Sequence, residues 1–100
     1  MRIHPEPLTT PSAAESSLSD LDVGVVGVVT RLQMPDAAAE RGRVARLLEL
    51  GFLPGETVRV LARGPAGGEP LAVRVGDATF ALRSHEAQHV RVARLGDIHR

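Results

Sequence analysis

The feature that most constrains this chain is a series of short aliphatic segments in which core and surface residues alternate. In one of them Val58 and Val60 fall on one face, and Arg59 and Arg63 fall on the other. A period of two is typical of half-buried β-strands, because successive side chains of a strand point to opposite faces. The pattern predicts five short strands. They cover residues 24–33, 57–63, 71–75, 78–82 and 90–93.

The turns between these segments favour a small barrel. Gly76 and Asp77 link two of the segments, and a two-residue link that contains glycine is typical of a β-hairpin. The first segment is apolar on both faces and carries Gly27 in its middle, which predicts a bend or bulge. Because closing a sheet removes its edges, five short strands with tight turns predict a small, highly curved β-barrel.

One helix and one helical turn interrupt the strands. Residues 37–50 have apolar residues at helical spacing, with Asp36 as the predicted N-cap and Gly51 placed for the left-handed position after the helix. Residues 84–89 predict a single helical turn capped by Ser84. The expected architecture is mainly β, with five strands, one inserted α-helix and a short C-terminal helical turn.

The first 17 residues differ in composition from the rest. They contain three prolines and three serines but few large apolar side chains, too few to offset the entropy lost on ordering. We therefore predict a mobile tail over residues 1–17 and one folded domain over residues 18–100.

Missing residue types exclude several chemistries. The chain has no Cys, Lys, Trp or Tyr, which excludes disulfides, thiolate metal sites, the lysine-dependent phosphate loop and Schiff-base catalysis. Its 12 Arg balance 12 Asp and Glu, and a net charge of zero disfavours binding to nucleic acid. The sequence shows no membrane span, no secretory signal and no convergent nucleophile–base pair. We expect a cytosolic protein that is not an enzyme.

The segment after the longer helix is the first candidate site. Pro54 and Gly55 predict a tight type II turn between the helix and the next strand. Phe52 and Leu53 precede it, and adjacent apolar residues cannot both point into the core unless the backbone twists. Either one of them covers the barrel and the other lies on the surface without a role, or the segment provides an exposed apolar contact site beside the helix.

His85, Glu86 and His89 are the second candidate site. On a helical turn the two histidines, at i and i+4, project from the same face and can share a divalent ion such as Fe²⁺ or Zn²⁺, with Glu86 as an oxygen ligand. The alternative is two solvent-exposed histidines. Because two imidazoles alone bind weakly, we predict at most a weakly bound metal ion and no required cofactor.

Arginines on the strand face opposite the core form a third feature. Such a pattern is typical of a solvated face with nearby acids. It could also dock an acidic partner or RNA, although no aromatic residues for base stacking accompany it. The residues are Arg59, Arg63, Arg74, Arg83 and Arg91.

The order of these features resembles the FeoA family, small cytosolic proteins of bacterial ferrous iron uptake. The Leu-Gly-x-x-Pro-Gly element, the Gly-Glu-Pro loop and the Ala-Leu-Arg…Glu-Ala run are jointly specific, and the resemblance covers about residues 18–95. Glu69 departs from it, because the family commonly has Asp there. The matching residues are Arg46, Leu47, 50–55, Val58, Val60, Pro65, 67–70, Val73, Val75, 81–83, Glu86, Ala87 and 90–92.

The resemblance implies an SH3-like barrel with a helical insertion and a role beside FeoB, the membrane ferrous iron transporter with a cytosolic GTPase domain. We expect a non-enzymatic regulatory module, peripheral to the inner membrane through its partner, that docks through the connector 50–55 and the adjoining helix. A weak homodimer is a further expectation, and nucleic acid is not an expected partner. The predicted docking residues are Arg46, Leu47, Leu50, Phe52 and Leu53.

Two alternatives remain open from the sequence. One is a metal-responsive SH3-like domain related to the C-terminal domains of iron-dependent repressors, although the chain has no room for their helix-turn-helix domain. The other is a small RNA-binding barrel, which the neutral charge and the missing aromatics disfavour.

Overall fold

The computed structural model describes residues 15–97. The elements in chain order are β1 (Glu15–Ser17), a 3₁₀ turn (Leu18–Asp20), β2 (Val26–Leu32), α1 (Ala38–Leu50), β3 (Thr57–Gly64), β4 (Gly68–Val75), β5 (Ala78–Leu82), α2 (Ser84–Ala87), β6 (Val90–Arg94) and a second 3₁₀ turn (Leu95–Asp97). The five predicted strands are confirmed as β2–β6, and the inserted helix and the helical turn are confirmed as α1 and α2.

The strands form one antiparallel sheet in the order β1–β6–β2–β3–β4–β5. Among residues 15–97 the end strands β1 and β5 do not pair, so strand pairing does not complete the predicted closure. The Ser17 hydroxyl at the end of β1 donates to the Ala87 carbonyl of α2 at 3.3 Å. The helical turn that follows β5 therefore connects the two ends of the sheet.

The core is mainly aliphatic, as expected, and includes the buried ring of Phe52. On β3 and β4, Val58, Val60, Leu71 and Val73 are buried, and the arginines between them are exposed. Burying one Val or Leu side chain stabilises the fold by about 1.5–3 kcal/mol relative to leaving it exposed. The alternating pattern thus supplies much of the core directly.

The bulge in β2 lies three residues after the predicted position. The register between β2 and β6 shifts between Val29 and Arg31, which makes Thr30 the extra residue. Gly27 is buried, and a Cβ added there would lie 3.2 Å from Leu21 Cδ2. The glycine therefore permits close packing against Leu21, and the prediction of a bulge at Gly27 was wrong.

The described domain begins within the predicted tail. Glu15 and Ser17 of β1 pair with Ala93 and Arg91 of β6, so the last three residues of the segment 1–17 are strand. Residues 1–14 lie outside the described residues. β1 forms through pairing with the distant strand β6, and the local composition of this segment does not reveal such pairing.

Glu15 anchors β1 to its neighbours. Its Oε2 lies 2.5 Å from Thr30 Oγ1, and its Oε1 pairs with Arg31 at 3.2 Å. The hydrogen bond from Thr30, followed by the contacts with Arg31, lowers the pKa of the Glu15 carboxyl below its ordinary value. The carboxylate therefore stabilises the fold above that ordinary pKa, and the contribution disappears as the pH falls through the lowered folded-state pKa.

We expect the free energy of unfolding to decrease as the pH falls from about 5 to about 3, partly through Glu15. Glu15→Gln should flatten this part of the profile, because the amide cannot lose a charge. Urea unfolding at a series of pH values measures both profiles. Parallel profiles for the two proteins would contradict the role of Glu15.

The start of α1 differs from its prediction, whereas its end is confirmed. The helix begins at Ala38, its N-cap is Ala37, and no side chain caps it, so the assignment of Asp36 as the N-cap was wrong. Gly51 follows the helix at φ +116°. This positive φ is accessible to glycine at little cost, which explains why the helix ends there.

Candidate partner-binding site

The connector after α1 is a rigid turn. The Glu56 N–H donates to the Leu53 carbonyl at 2.9 Å, and Gly55 has φ +96°, as the predicted type II turn requires. The Gly55 N–H also donates to the Val29 carbonyl at 2.8 Å, and the Val29 N–H donates to the Glu56 carbonyl at 2.9 Å. Two backbone hydrogen bonds thus hold the turn against β2.

The end of α1 decides which connector residue is buried. The Phe52 N–H donates to the Leu47 carbonyl at 3.0 Å, and the Gly51 N–H donates to the Leu48 carbonyl at 3.1 Å. This is the Schellman pattern, in which the second residue after the helix packs against the residue at the start of its last turn. Phe52 and Leu47 are accordingly buried, with exposed fractions of 0% and 2%.

Two of the predicted docking residues are therefore core residues. Phe52 and Leu47 cannot contact a partner from inside the fold, and their assignment as contacts was wrong. Leu50 is half-buried and packs against the core. Leu53 is 45% exposed, so Phe52 covers the core and Leu53 lies on the surface.

We call Arg46, Leu50 and Leu53 the connector surface. Arg46 is exposed, and its spacing of four residues from Leu50 places both on one face of α1. Within residues 15–97 Arg46 makes no ion pair. The connector surface therefore consists of one protruding apolar side chain, one half-buried apolar side chain and one positive charge. This charge can contact a partner without first breaking an ion pair within residues 15–97.

The predicted metal residues do not form a three-ligand site. His89 lies in the turn after α2, where its Nδ1 is 3.0 Å from the Gln33 carbonyl oxygen. A Glu86 carboxylate oxygen accepts the Arg83 backbone N–H at 2.9 Å. In the described part of the chain no three His, Asp or Glu side chains are grouped so as to hold a metal ion.

The surroundings of these residues carry both charges. His85, Glu86 and His89 border a small crevice against α1, which Glu40 and Arg43 also line. Arg43 pairs with Glu40 at 3.3 Å, so its positive charge is compensated within the same crevice. A weakly bound ion on the two histidines alone stays a prediction.

Glu69 is a structural residue of this region that the sequence treated only as a departure from the family pattern. Its Oε2 accepts the Ser84 backbone N–H at 2.9 Å, and its Oε1 lies 3.5 Å from Arg83 Nη1. The hydrogen bonding with Ser84, and then the charge of Arg83, lower the pKa of the Glu69 carboxyl. Glu69 thus satisfies a free N–H at the start of α2.

This contact explains two further observations. Ser84 is the first residue of α2, and Arg83 precedes it as the N-cap, so the prediction that Ser84 caps the turn was wrong. The Gly-Glu-Pro loop and the Ala-Leu-Arg…Glu-Ala run also meet through Glu69. Glu86 within the turn accepts the Arg83 N–H, and the distant Glu69 accepts the next N–H, that of Ser84.

The predicted outward arginines have different partners, and Arg83 among them lies after the end of β5 as the N-cap of α2. Arg91 is half-buried and lies 3.8 Å from Glu15, and Arg83 contacts Glu69. Arg63 donates to the backbone carbonyl oxygens of Ser19 and Leu21 at 2.7 and 2.9 Å. These three arginines therefore have structural roles, which leaves Arg59 and Arg74 for separate consideration.

Comparison with known proteins decides the family. The family model of the FeoA domain matches residues 16–94, nearly the whole described domain. The chain belongs to the FeoA family. FeoA proteins are iron-transport-associated proteins with an SH3-like fold, so the family and the fold inferred from the sequence are both confirmed.

Solved FeoA structures support this assignment. The zinc complex of FeoA from Stenotrophomonas maltophilia, described as an SH3 domain protein, is 47% identical, with 76% of this chain and 87% of that chain covered and a TM-score of 0.68. FeoA from Chlorobium tepidum is 28% identical, with 83% and 73% covered and a TM-score of 0.67. No curated protein sequence matches the chain.

A manganese-dependent transcriptional repressor has a similar domain. It is 26% identical, with 87% of this chain but 44% of the repressor covered and a TM-score of 0.68. This likeness to part of a larger protein does not favour the metal-responsive alternative over FeoA.

No helix within residues 15–97 of this FeoA-family chain has the length and apolar character that crossing a bilayer requires.

Proposed function

We propose that this chain is a non-enzymatic accessory protein of ferrous iron uptake that docks on the transporter FeoB through the connector surface and modulates its activity. Family membership supports the link to iron transport. The observation that carries the docking part is the exposed Leu53 on a turn that two backbone hydrogen bonds hold against β2.

The physical properties of the connector surface suit protein binding. A protruding leucine can fill an apolar pocket of a partner, and Arg46 beside it can steer an acidic partner into place. Because the turn is fixed in the free protein, binding orders little additional backbone, and less binding energy is lost to entropy. Apolar contact and one positive charge are features of recognition, whereas bond cleavage requires a nucleophile and a base.

The docking proposal predicts a loss of affinity in two variants. Leu53→Ala removes the apolar contact, and Arg46→Glu reverses the steering charge. We expect each to raise the Kd for the cytosolic region of FeoB by about tenfold, or roughly 1.4 kcal/mol. Calorimetric titration of the wild type and both variants measures the change.

Matched controls separate docking from general surface effects. Val23→Ala trims an apolar residue that is 51% exposed, compared with 45% for Leu53. Arg41→Glu makes the same charge change on α1, about 140° around the helix from Arg46. Both controls should bind FeoB like the wild type. Wild-type affinity in both test variants would remove the connector surface as the docking site.

A broader test scores the complex itself. We expect the full chain to co-purify with FeoB. The yield of the complex would be compared with and without Fe²⁺, and with and without GTP. Absence of the complex under all four conditions would contradict the accessory role.

A titration with Zn²⁺ tests the separate prediction of a weakly bound ion. If the ion binds at the two histidines, His85→Ala should abolish the binding.

A further inference from the structure

Two arginines lie directly opposite each other on the outer face of the sheet. Arg59 of β3 is the register partner of Arg74 of β4. Val26 and Thr79 continue the same row on β2 and β5. Both arginine side chains are exposed. Like charges at directly opposed positions destabilise a sheet, so this pair has a cost that a neutral residue would avoid.

No acid of the described domain neutralises this pair. Across residues 15–97 neither arginine forms an ion pair. Arg74 Nε donates to the Gly76 carbonyl at 3.3 Å. Asp77 lies next to Gly76 in the chain and still pairs with neither arginine. Of the other predicted outward arginines, Arg83 and Arg91 have carboxylate partners, and Arg63 donates to two backbone carbonyl oxygens. Among these five arginines, Arg59 and Arg74 therefore lack a side-chain hydrogen bond or ion pair with another segment of residues 15–97.

A concavity lies at these two arginines. It is open to solvent and has a volume of about 310 Å³, with charged and apolar residues both in its lining. Leu61 in this lining is 39% exposed although it belongs to a β-strand. The lining residues are Val26, Thr57, Val58, Arg59, Leu61, Arg74 and Gly76.

We infer that this concavity is a second docking surface, which binds an acidic segment of a partner protein. Two guanidinium groups side by side can each bind a carboxylate through paired N–H donors. The apolar lining beside them, including Leu61, can contact an apolar side chain next to the acids. Charge complementarity thus selects an acidic segment with an apolar residue.

The composition of the domain favours a peptide over RNA as the occupant. Recognition of single-stranded RNA relies on exposed aromatic side chains for base stacking. The chain has no Trp or Tyr, Phe52 is buried, and Phe80 packs against the core. The net charge of zero also gives little long-range attraction for a phosphate backbone.

The test uses the full ¹⁵N-labelled chain and a defined probe at low salt. The probe is an acetylated and amidated pentapeptide of sequence Leu-Glu-Asp-Glu-Leu, and its control is the uncharged Leu-Gln-Asn-Gln-Leu. We expect the acidic peptide to shift the amide signals around Arg59, Leu61 and Arg74, and the shifts to shrink as salt screens the charges. The uncharged peptide should leave these signals in place.

Variants localise the effect. Arg59→Gln and Arg74→Gln should each raise the Kd of the acidic peptide by about tenfold, whereas Arg41→Gln on α1 should not change it. The dispersion of the amide signals verifies that each variant folds, and removal of either like charge should raise the Tm slightly.

Several results would overturn this inference. One is that the uncharged peptide binds as tightly as the acidic one, another is that the largest amide shifts lie away from the two arginines, and a third is that no amide signal shifts at millimolar peptide. Inorganic phosphate that binds as well as the peptide would indicate a bare anion site instead. A single-stranded RNA oligonucleotide that binds more tightly would indicate a nucleic-acid surface. The experiment contains no FeoB, so its failure would leave the connector-surface proposal standing.

Discussion

Phe52→Ala should destabilise the domain by about 3–5 kcal/mol, the usual range for removing a large core side chain. The Phe52 side chain is fully buried, and its ring centroid lies 6.2 Å from that of Phe80. The truncation would leave a cavity where the end of α1 meets the sheet. Urea unfolding followed by far-UV circular dichroism measures the loss, and the Tm should fall in parallel.

The neighbouring residue provides the control. Leu53→Ala removes a similar apolar volume one position later, but from the surface. We expect its effect on the free energy of unfolding to stay within about 0.5 kcal/mol. If the two variants lowered the free energy of unfolding equally, Phe52 and Leu53 would be buried to a similar extent, which would contradict the connector conformation described above.

Gly64→Ala should destabilise the β3–β4 hairpin by about 1–3 kcal/mol or more, as overpacking against a rigid neighbour does. A Cβ added to Gly64 would overlap the carbonyl oxygen of Glu69 and lie 2.9 Å from the Pro70 nitrogen. These are backbone atoms, so no side-chain rotation can relieve the overlap. Thermal unfolding measures the loss, and amide shifts should place the distortion at the hairpin tip.

Gly42→Ala is the matched control for this substitution. Gly42 lies within α1, and a Cβ added there would meet nothing within 4 Å. Because alanine is the better helix former, we expect the domain to become more stable by about 0.5–1 kcal/mol. Opposite signs for the same Gly→Ala change would support the packing assigned to both positions. A loss of stability in both variants would contradict it.

The fold could be predicted because its strands carry a strong local signal. Buried and exposed residues alternate along β3 and β4 with a period of two, and the core positions Val58 and Val73 follow directly from that pattern. The end of α1 at Gly51 was equally local, since a left-handed residue there favours glycine. The strand alternation and the end of α1 were therefore confirmed, whereas the caps predicted at Asp36 and Ser84 were not.

Features that depend on contacts between distant segments escaped prediction. The Ser84 N–H at the start of α2 donates to Glu69, which lies 15 positions earlier in the chain, and β1 pairs with β6 at the other end of the domain. The sequence of β1 alone is too short to carry a periodic signal. No pattern within a single segment can report such partners.

The geometry of the connector was predicted only in outline. The tight turn between α1 and β3 was located from the sequence, but Phe52 and Leu53 are adjacent, and local apolarity does not show which of them is buried. The signal that decides it was present in the sequence. Gly51 followed by an apolar residue is typical of a Schellman helix end, where the second residue packs back on the helix. Applied to this chain, the rule places Phe52 inside and leaves Leu53 on the surface.

The most direct test of the central claim is a footprint of FeoB on this protein. Amide spectra of the ¹⁵N-labelled chain would be recorded with and without the unlabelled cytosolic region of FeoB. We predict that the signals of Arg46, Leu50 and Leu53 shift or broaden first, while those of β6 change little. An unchanged spectrum, or changes confined to residues away from the connector surface, would contradict the claim that this helix-to-turn segment meets the transporter.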